Sequence, residues 1–277
     1  MNWRDILEMA EPQAAVAIVR TREPKSSFLL MRRSERPDDP WSGHWSLPGG
    51  RRDPTDTDLL HTALRELEEE CGICLDRKHM QDALQPVLAR RRTGPFLLVA
   101  PFVFNVDDEL PTVVDLEEAV EATWVPLSTI CDPTMHSLRS VPGVPENWLF
   151  PAIEINGHPL WGFTYRLMTD WLALLPKQSS PDDAGFQMAC RVLDFLVSQG
   201  LPVTRQWHAS DDEPPETSAI KPTMIATVEG AIPVEQVIAH FSAPGNLFPT
   251  ANLLQVRPDR IVVVGLNFEE YLISATG

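Results

Sequence analysis

The stretch from Asp56 to Cys71, DTDLLHTALRELEEEC, limits most strongly what this chain can become. Leu60, Ala63, Leu64 and Leu67 recur at helical spacing, so a helix there has one apolar face that must be buried. Thr55 is the expected N-cap. Asp56 and Asp58 suit the positive end of the helix dipole, and Gly72 suits a left-handed C-cap. The opposite face carries Glu66, Glu69 and Glu70 at i, i+3 and i+4, which sets three carboxylates side by side. Like charges at that spacing repel, and a divalent cation would remove the repulsion while gaining hard oxygen ligands. For an isolated ELEEE run the simpler reading is a solvated acidic face. Its surroundings reverse that choice.

The run GHWSLPGG, Gly43 to Gly50, precedes the helix, and Ala63 to Ile73 completes the pattern. Together they resemble the Nudix hydrolase box. That box ends in Arg-Glu-apolar-x-Glu-Glu-x-Gly-apolar, met here by Arg65, Glu66, Leu67, Glu69, Glu70, Gly72 and Ile73. The resemblance implies an α+β fold of the Nudix type, an α/β/α sandwich around a mixed sheet. It also implies that Glu66, Glu69 and Glu70 hold Mg²⁺ or Mn²⁺ around a pyrophosphate, that the Gly50 carbonyl joins the metal shell, and that Arg65 orients the glutamates. One part departs from the common pattern. The box has a Glu eight residues before its Arg and a Gly fourteen before it, and those positions are Thr57 and Arg51 here. The glycine sits one residue earlier, at Gly50, and Asp56 and Asp58 flank the missing Glu. A loop reading GGRRDPTDTDLLHTALRE is similar to the coenzyme A pyrophosphatase branch of the family.

The formal net charge of −16 argues against a nucleic-acid backbone as partner. A polyanionic nucleotide must then be received by a local basic patch and by metal. Arg32, Arg33 and Arg36 cluster just before the box, in a stretch similar to the segment preceding it in coenzyme A pyrophosphatases. A guanidinium fork suits phosphate oxygens, though ordinary surface arginines at a strand end fit equally. Arg51, and Arg91 in the triplet Arg90-Arg91-Arg92, are further substrate-binding candidates. The triplet could instead blunt a hairpin end. In the Glu-rich stretch Asp115 to Leu127, which resembles the segment after the Nudix sheet, Glu118 and Glu121 are candidates to complete the metal site or act as base. Simple strand exposure would explain them too.

No apolar run approaches the roughly 20 residues that a membrane helix needs. The opening MNWRDILEMAEPQ lacks a secretory signal core, and four cysteines without framework spacing point to a reducing, cytoplasmic setting. Cys71-x-x-Cys74 is read as chance. Strands are expected over Ala14 to Arg20, Phe28 to Arg33, Leu84 to Arg92, Phe96 to Val106 and Trp148 to Ile155, with a helix over Tyr165 to Leu175 and a short amphipathic helix within 1–13. The polar stretch Pro176 to Asp183 reads as a linker, placing a Nudix domain at 1–177 and a small α+β domain of unknown role at 178–277. In the latter, helices are expected around Phe186 to Val197 and Val234 to Phe241, strands at Val203 to His208 and Met224 to Val228, and a hairpin from Leu253 to Val264. A polar loop is expected over Asp211 to Pro222.

By the resemblance, the expected activity is metal-dependent hydrolysis of coenzyme A or an acyl derivative to 3′,5′-ADP and 4′-phosphopantetheine or its acyl form. ADP-ribose or NADH is the alternative substrate. A non-catalytic nucleotide-sensing module is the alternative class, and it commonly loses box glutamates that are all present here. The expected partner is a small nucleotide, with neither nucleic acid nor membrane, and a homodimer is compatible with the sequence.

Overall fold

Ala14–Thr21 (β1) and Ser27–Arg33 (β2) are apolar on both sides of the strand and almost wholly buried. Strands that avoid water on both faces belong inside a layered structure. The computed structural model describes residues 11–24, 26–36, 42–89, 97–174, 182–206, 223–244, 251–266 and 269–276. In chain order there follow β3 (Trp45–Ser46), β4 (Gly49–Arg51), α1 (Leu59–Cys71), β5 (Met80–Ala83), β6 (Val87–Ala89), β7 (Leu97–Val106), β8 (Ala119–Pro126) and α2 (Leu127–Cys131). Then come β9 (Ser137–Arg139), β10 (Trp148–Ile155), β11 (His158–Trp161), α3 (Gly162–Trp171), α4 (Asp182–Ser198) and β12 (Val203–Gln206). The last elements are β13 (Thr223–Glu229), α5 (Val234–Ser242), β14 (Leu253–Val256), β15 (Arg260–Val264) and β16 (Glu270–Thr276). Among the described residues no helix is long and apolar enough to cross a membrane. The expected helix within 1–13 falls almost wholly outside the described residues, as do Arg91 with the turn beyond it, the linker and the loop 211–222.

The chain divides into two compact units, Met1–Cys131 with Ile155–Leu167, and Asp132–Glu154 with Met168–Gly277. The first is built on a mixed sheet in the order β3-β2-β1-β7-β5, with β4 on β1, β6 on β7 and β8 on β2. β1 and β7 run parallel from Ala14↔Val99 to Thr21↔Val106, and β2 runs antiparallel to β8. On one face Leu60, Ala63, Leu67 and Cys71 of α1 pack with Ala15, Ala17, Val19, Leu29 and Met31. The alternate residues Val16, Ile18, Phe28 and Leu30 are buried as well, so the sheet is a central layer.

Helix α1 starts three residues later than Thr55 would set it. Asp58 is the N-cap, accepting the His61 N–H at 2.8 Å, while Thr55 turns its own N–H to Asp53 at 2.8 Å. Arg77 grips the Asp58 carboxylate at 2.7 Å and holds the cap in place. Gly72 closes the helix at φ 66°, donating to the Glu68 carbonyl.

In the second unit the strands run β10-β14-β15-β16-β13-β12 with β9 on β10. All these pairings are antiparallel except β13 with β16. Val192, Leu196, Val237, Ile261 and Ile273 share its core. The expected β14–β15 hairpin is present, from Leu253↔Val264 to Val256↔Ile261. The division does not run at 177/178. β10 pairs with β14 through Trp148↔Gln255 and Leu149↔Leu254, and Leu138 and Leu149 are buried in the second unit's core. Residues expected in the first domain therefore build the second.

Candidate active site

Two glycines bring strand β4 against helix α1. β4 pairs with β1 through Val16↔Gly49, Ala15↔Gly50 and Ala14↔Arg51. The Gly49 N–H donates to Glu70 Oε2 at 2.8 Å. A Cβ on Gly50 would lie 2.2 Å from Glu66 Oε1, so only glycine lets the strand approach that carboxylate. Gly50→Ala is therefore expected to push the Glu66 side chain aside and lower turnover about a hundredfold. Because the clash is with a side-chain end and not backbone, the melting temperature should stay within a few degrees. Thermal unfolding beside steady-state rates checks both.

Carboxylate oxygens of Glu66, Glu70 and Glu118 all lie within 4.8 Å of one another. Glu66 and Glu70 come from one face of α1, and Glu118 from the turn before β8. That turn is sewn to the end of β2: the Ser34 N–H donates to the Glu118 carbonyl at 2.9 Å, and Ser34 Oγ and Arg36 both donate to the Glu117 carbonyl. The Glu70 side chain is 4% exposed. Burial pushes its carboxyl up to about 8, against the pull of the Gly49 N–H and with a further push from Glu66. Burial raises Glu66 too, against the opposing pull of Arg65. Two carboxylates forced together largely out of water, with the exposed Glu118 beside them, are a fitting donor set for a hard divalent cation, which would supply the missing countercharge. Glu66, Glu70 and Glu118 are the residues that could hold it.

The other candidates divide. Glu69 is half-exposed and turned to Arg65 at 2.7 Å, outside the cluster. Glu121 faces Arg32 across β2 and β8 at 3.7 Å and accepts from Asn156, outside the three-carboxylate cluster. Arg33 Nη1 stands 3.9 Å from Glu70 Oε1. Arg32 is mostly buried, and its Nε has no hydrogen-bond partner among the described residues. Arg36 is spent on the Glu117 carbonyl. Arg51 is exposed, and its carbonyl accepts from Arg65 at 3.3 Å. Arg91 lies outside the described residues.

Arg65 is the hub. Its Nη2 reaches Glu66 Oε1 at 2.9 Å and its Nη1 reaches Glu69 Oε2 at 2.7 Å. Its Nε and Nη2 both bond Asp56, each at 3.1 Å, and this pairing holds the guanidinium well above its ordinary pKa and the Asp56 carboxyl well below the usual carboxylate range. In the sequence Asp56 stands out only by its place near the helix dipole and beside the missing box Glu. Its position in sequence gave no sign of its burial, because the loop around it has no periodicity. All four cysteines are free, and the buried Cys71 thiol, pushed up to about 12 by desolvation, stays protonated and apart from the exposed Cys74.

The NUDIX domain is matched over residues 11–145. The mitochondrial coenzyme A diphosphatase of Mus musculus is 30% identical over 152 residues, which is 54% of this chain and 70% of that protein. An uncharacterised Schizosaccharomyces pombe protein is 38% identical over 109 residues, 38% of this chain and 33% of its own length, so the chain spans only a third of that relative. Among solved structures, a C. elegans Ap4A hydrolase complex gives a TM-score of 0.34 at 22% identity, over 43% of this chain and 82% of that one. With the box residues gathered on one strand, loop and helix, and a relative matched over most of its length, the chain belongs to the NUDIX hydrolase family.

Proposed function

We propose that the first unit cleaves the diphosphate of coenzyme A or acyl-coenzyme A, giving 3′,5′-ADP and 4′-phosphopantetheine or its acyl form. Mg²⁺ or Mn²⁺ is the ion that Glu66, Glu70 and Glu118 would hold. The observation that carries the reading is that carboxylate cluster, set against the two-glycine strand in a chain 30% identical over 152 residues to a coenzyme A diphosphatase. When bound, such an ion neutralises the diphosphate and lowers the pKa of a water at the site. The protein supplies position and charge. Gly49 fixes one Glu70 oxygen, Arg65 aims Glu66, and Glu118, open to solvent, is the carboxylate assigned to take a proton from the attacking water. Arg33 beside Glu70 is assigned to phosphate oxygens. The four free cysteines favour a reducing compartment, and we keep the cytoplasm as the proposed location.

The test is a panel of coenzyme A, acetyl-coenzyme A, ADP-ribose and NADH, assayed with each ion and resolved by mass spectrometry of the products. Coenzyme A substrates should be cleaved fastest. Preferential cleavage of ADP-ribose or NADH would reassign the substrate, and no cleavage at all would favour a nucleotide-sensing module. Arg33→Ala should raise KM about tenfold for coenzyme A, the loss of one charge-assisted contact, and less for ADP-ribose. Equal effects on the two would remove Arg33 from recognition of the additional phosphate.

A further inference from the structure

We propose that Asp56 is a positioning residue for the metal-binding carboxylates: it anchors Arg65 and balances its charge, so that Glu66 keeps its own for a cation. The proposal rests on the reading of the site given above. The Asp56 side chain is fully buried, in the loop between β4 and α1. Its Oδ1 accepts Arg65 Nε and its Oδ2 accepts Arg65 Nη2, both at 3.1 Å. Oδ2 also accepts the Thr62 hydroxyl and the Asp53 N–H, each at 2.9 Å, and His61 Nδ1 lies 3.4 Å from Oδ1. Arg52 ties the loop further by donating to the Asp56 carbonyl at 3.2 Å. An acid held at so many points has one orientation, and a two-point fork transmits that orientation to the guanidinium.

The charge balance makes the same point. Arg65 touches three carboxylates, those of Asp56, Glu66 and Glu69. With Asp56 ionised, one unit of positive charge is matched before either glutamate is counted. Without it, Glu66 and Glu69 alone would have to neutralise Arg65, and the guanidinium would compete with a metal for the Glu66 oxygens.

Spacing explains how this chain manages without the usual glutamate. The common box keeps five residues between its Gly and its acid, and so do Gly50 and Asp56. Gly and acid have shifted together by one residue, and the extra residue lies between Asp56 and Arg65. Thr57, at the expected acid position, faces solvent.

The experiment is Asp56→Asn in the full chain, read first by Mn²⁺ binding in electron paramagnetic resonance without substrate. The dissociation constant should rise about tenfold, and kcat at saturating metal should fall at least about tenfold while KM for the substrate changes less than threefold. Added to Arg65→Gln, Asp56→Asn should cause little further loss, because both remove one unit. Mn²⁺ affinity and kcat within twofold of wild type, or effects of the two substitutions that multiply, would overturn the proposal. If Asp56→Asn does not fold, Thr62→Val removes one bond to the same carboxylate: Mn²⁺ binding weakened about threefold supports the proposal, and unchanged binding overturns it. A wild-type chain that binds no Mn²⁺ would sink the metal reading itself, and that is seen before any substitution is made.

Discussion

Glu70→Gln is expected to lower kcat at least about a thousandfold, or about 4 kcal/mol of barrier, while leaving the fold intact. Glutamine matches glutamate in size, and its carbonyl oxygen can still accept the Gly49 N–H that Glu70 Oε2 accepts at 2.8 Å. What it lacks is the charge. The same substitution should change the pH dependence of stability in metal-free protein. The Glu70 carboxyl is pushed up to about 8 from an ordinary 4.5, so between those values the folded chain holds a proton that the unfolded chain has released. Stability present below the lower value is therefore lost as pH rises toward 8, and levels off above it. The glutamine variant has no such proton, and its melting temperature in EDTA should decline less over that window. Wild-type rates at saturating Mg²⁺ would take Glu70 out of the site, and parallel melting curves would remove the titration.

Gly49→Ala should fail in the opposite manner. A Cβ there would stand 2.4 Å from the Ala15 carbonyl oxygen and 2.7 Å from Val16 Cα, both backbone atoms of the paired strand. β1 is buried and locked to β7 along its whole length, so it has nowhere to retreat. We expect a loss of about 3 kcal/mol, the upper end for overpacking, and a fall in melting temperature of about 10 °C. Activity should fall with the fold, since moving β4 breaks the hydrogen bond to Glu70. Circular dichroism melts in EDTA measure it, and a melting temperature unchanged from wild type would refute the close approach. Neighbouring glycines thus separate two roles: Gly50 yields room to a side chain and Gly49 to a backbone.

The helix that carries the glutamates was legible in the sequence because periodicity, terminal glycine and acidic spacing agree over Leu59–Cys71. The strands β1, β2, β7 and β10 were legible for a like reason, being long and rich in β-branched residues. Three features were not. The capping role went to Asp58 and not Thr55, because Arg77, nineteen residues on, holds Asp58 in place, and such partners do not show in a local pattern. Glu118 and Glu121 looked alike in a run of acids, and only the register of β8 against β2, which sets Arg32 opposite Glu121, tells them apart. The unit boundary was hidden because β10 looks like any buried strand, and its partner β14 lies far ahead in the chain.

That last pairing has a consequence for how the protein can be made or divided. The ribosome delivers β9 and β10, then the stretch Ile155–Leu167 that completes the first unit, and only much later the strand to which β10 belongs. Until then Leu138 and Leu149 and an open hydrogen-bonding edge wait for a neighbour, an invitation to self-association. A gene truncated after the first unit would make that wait permanent. The two units are spliced, not strung, and neither half could have been gained or lost by one clean cut.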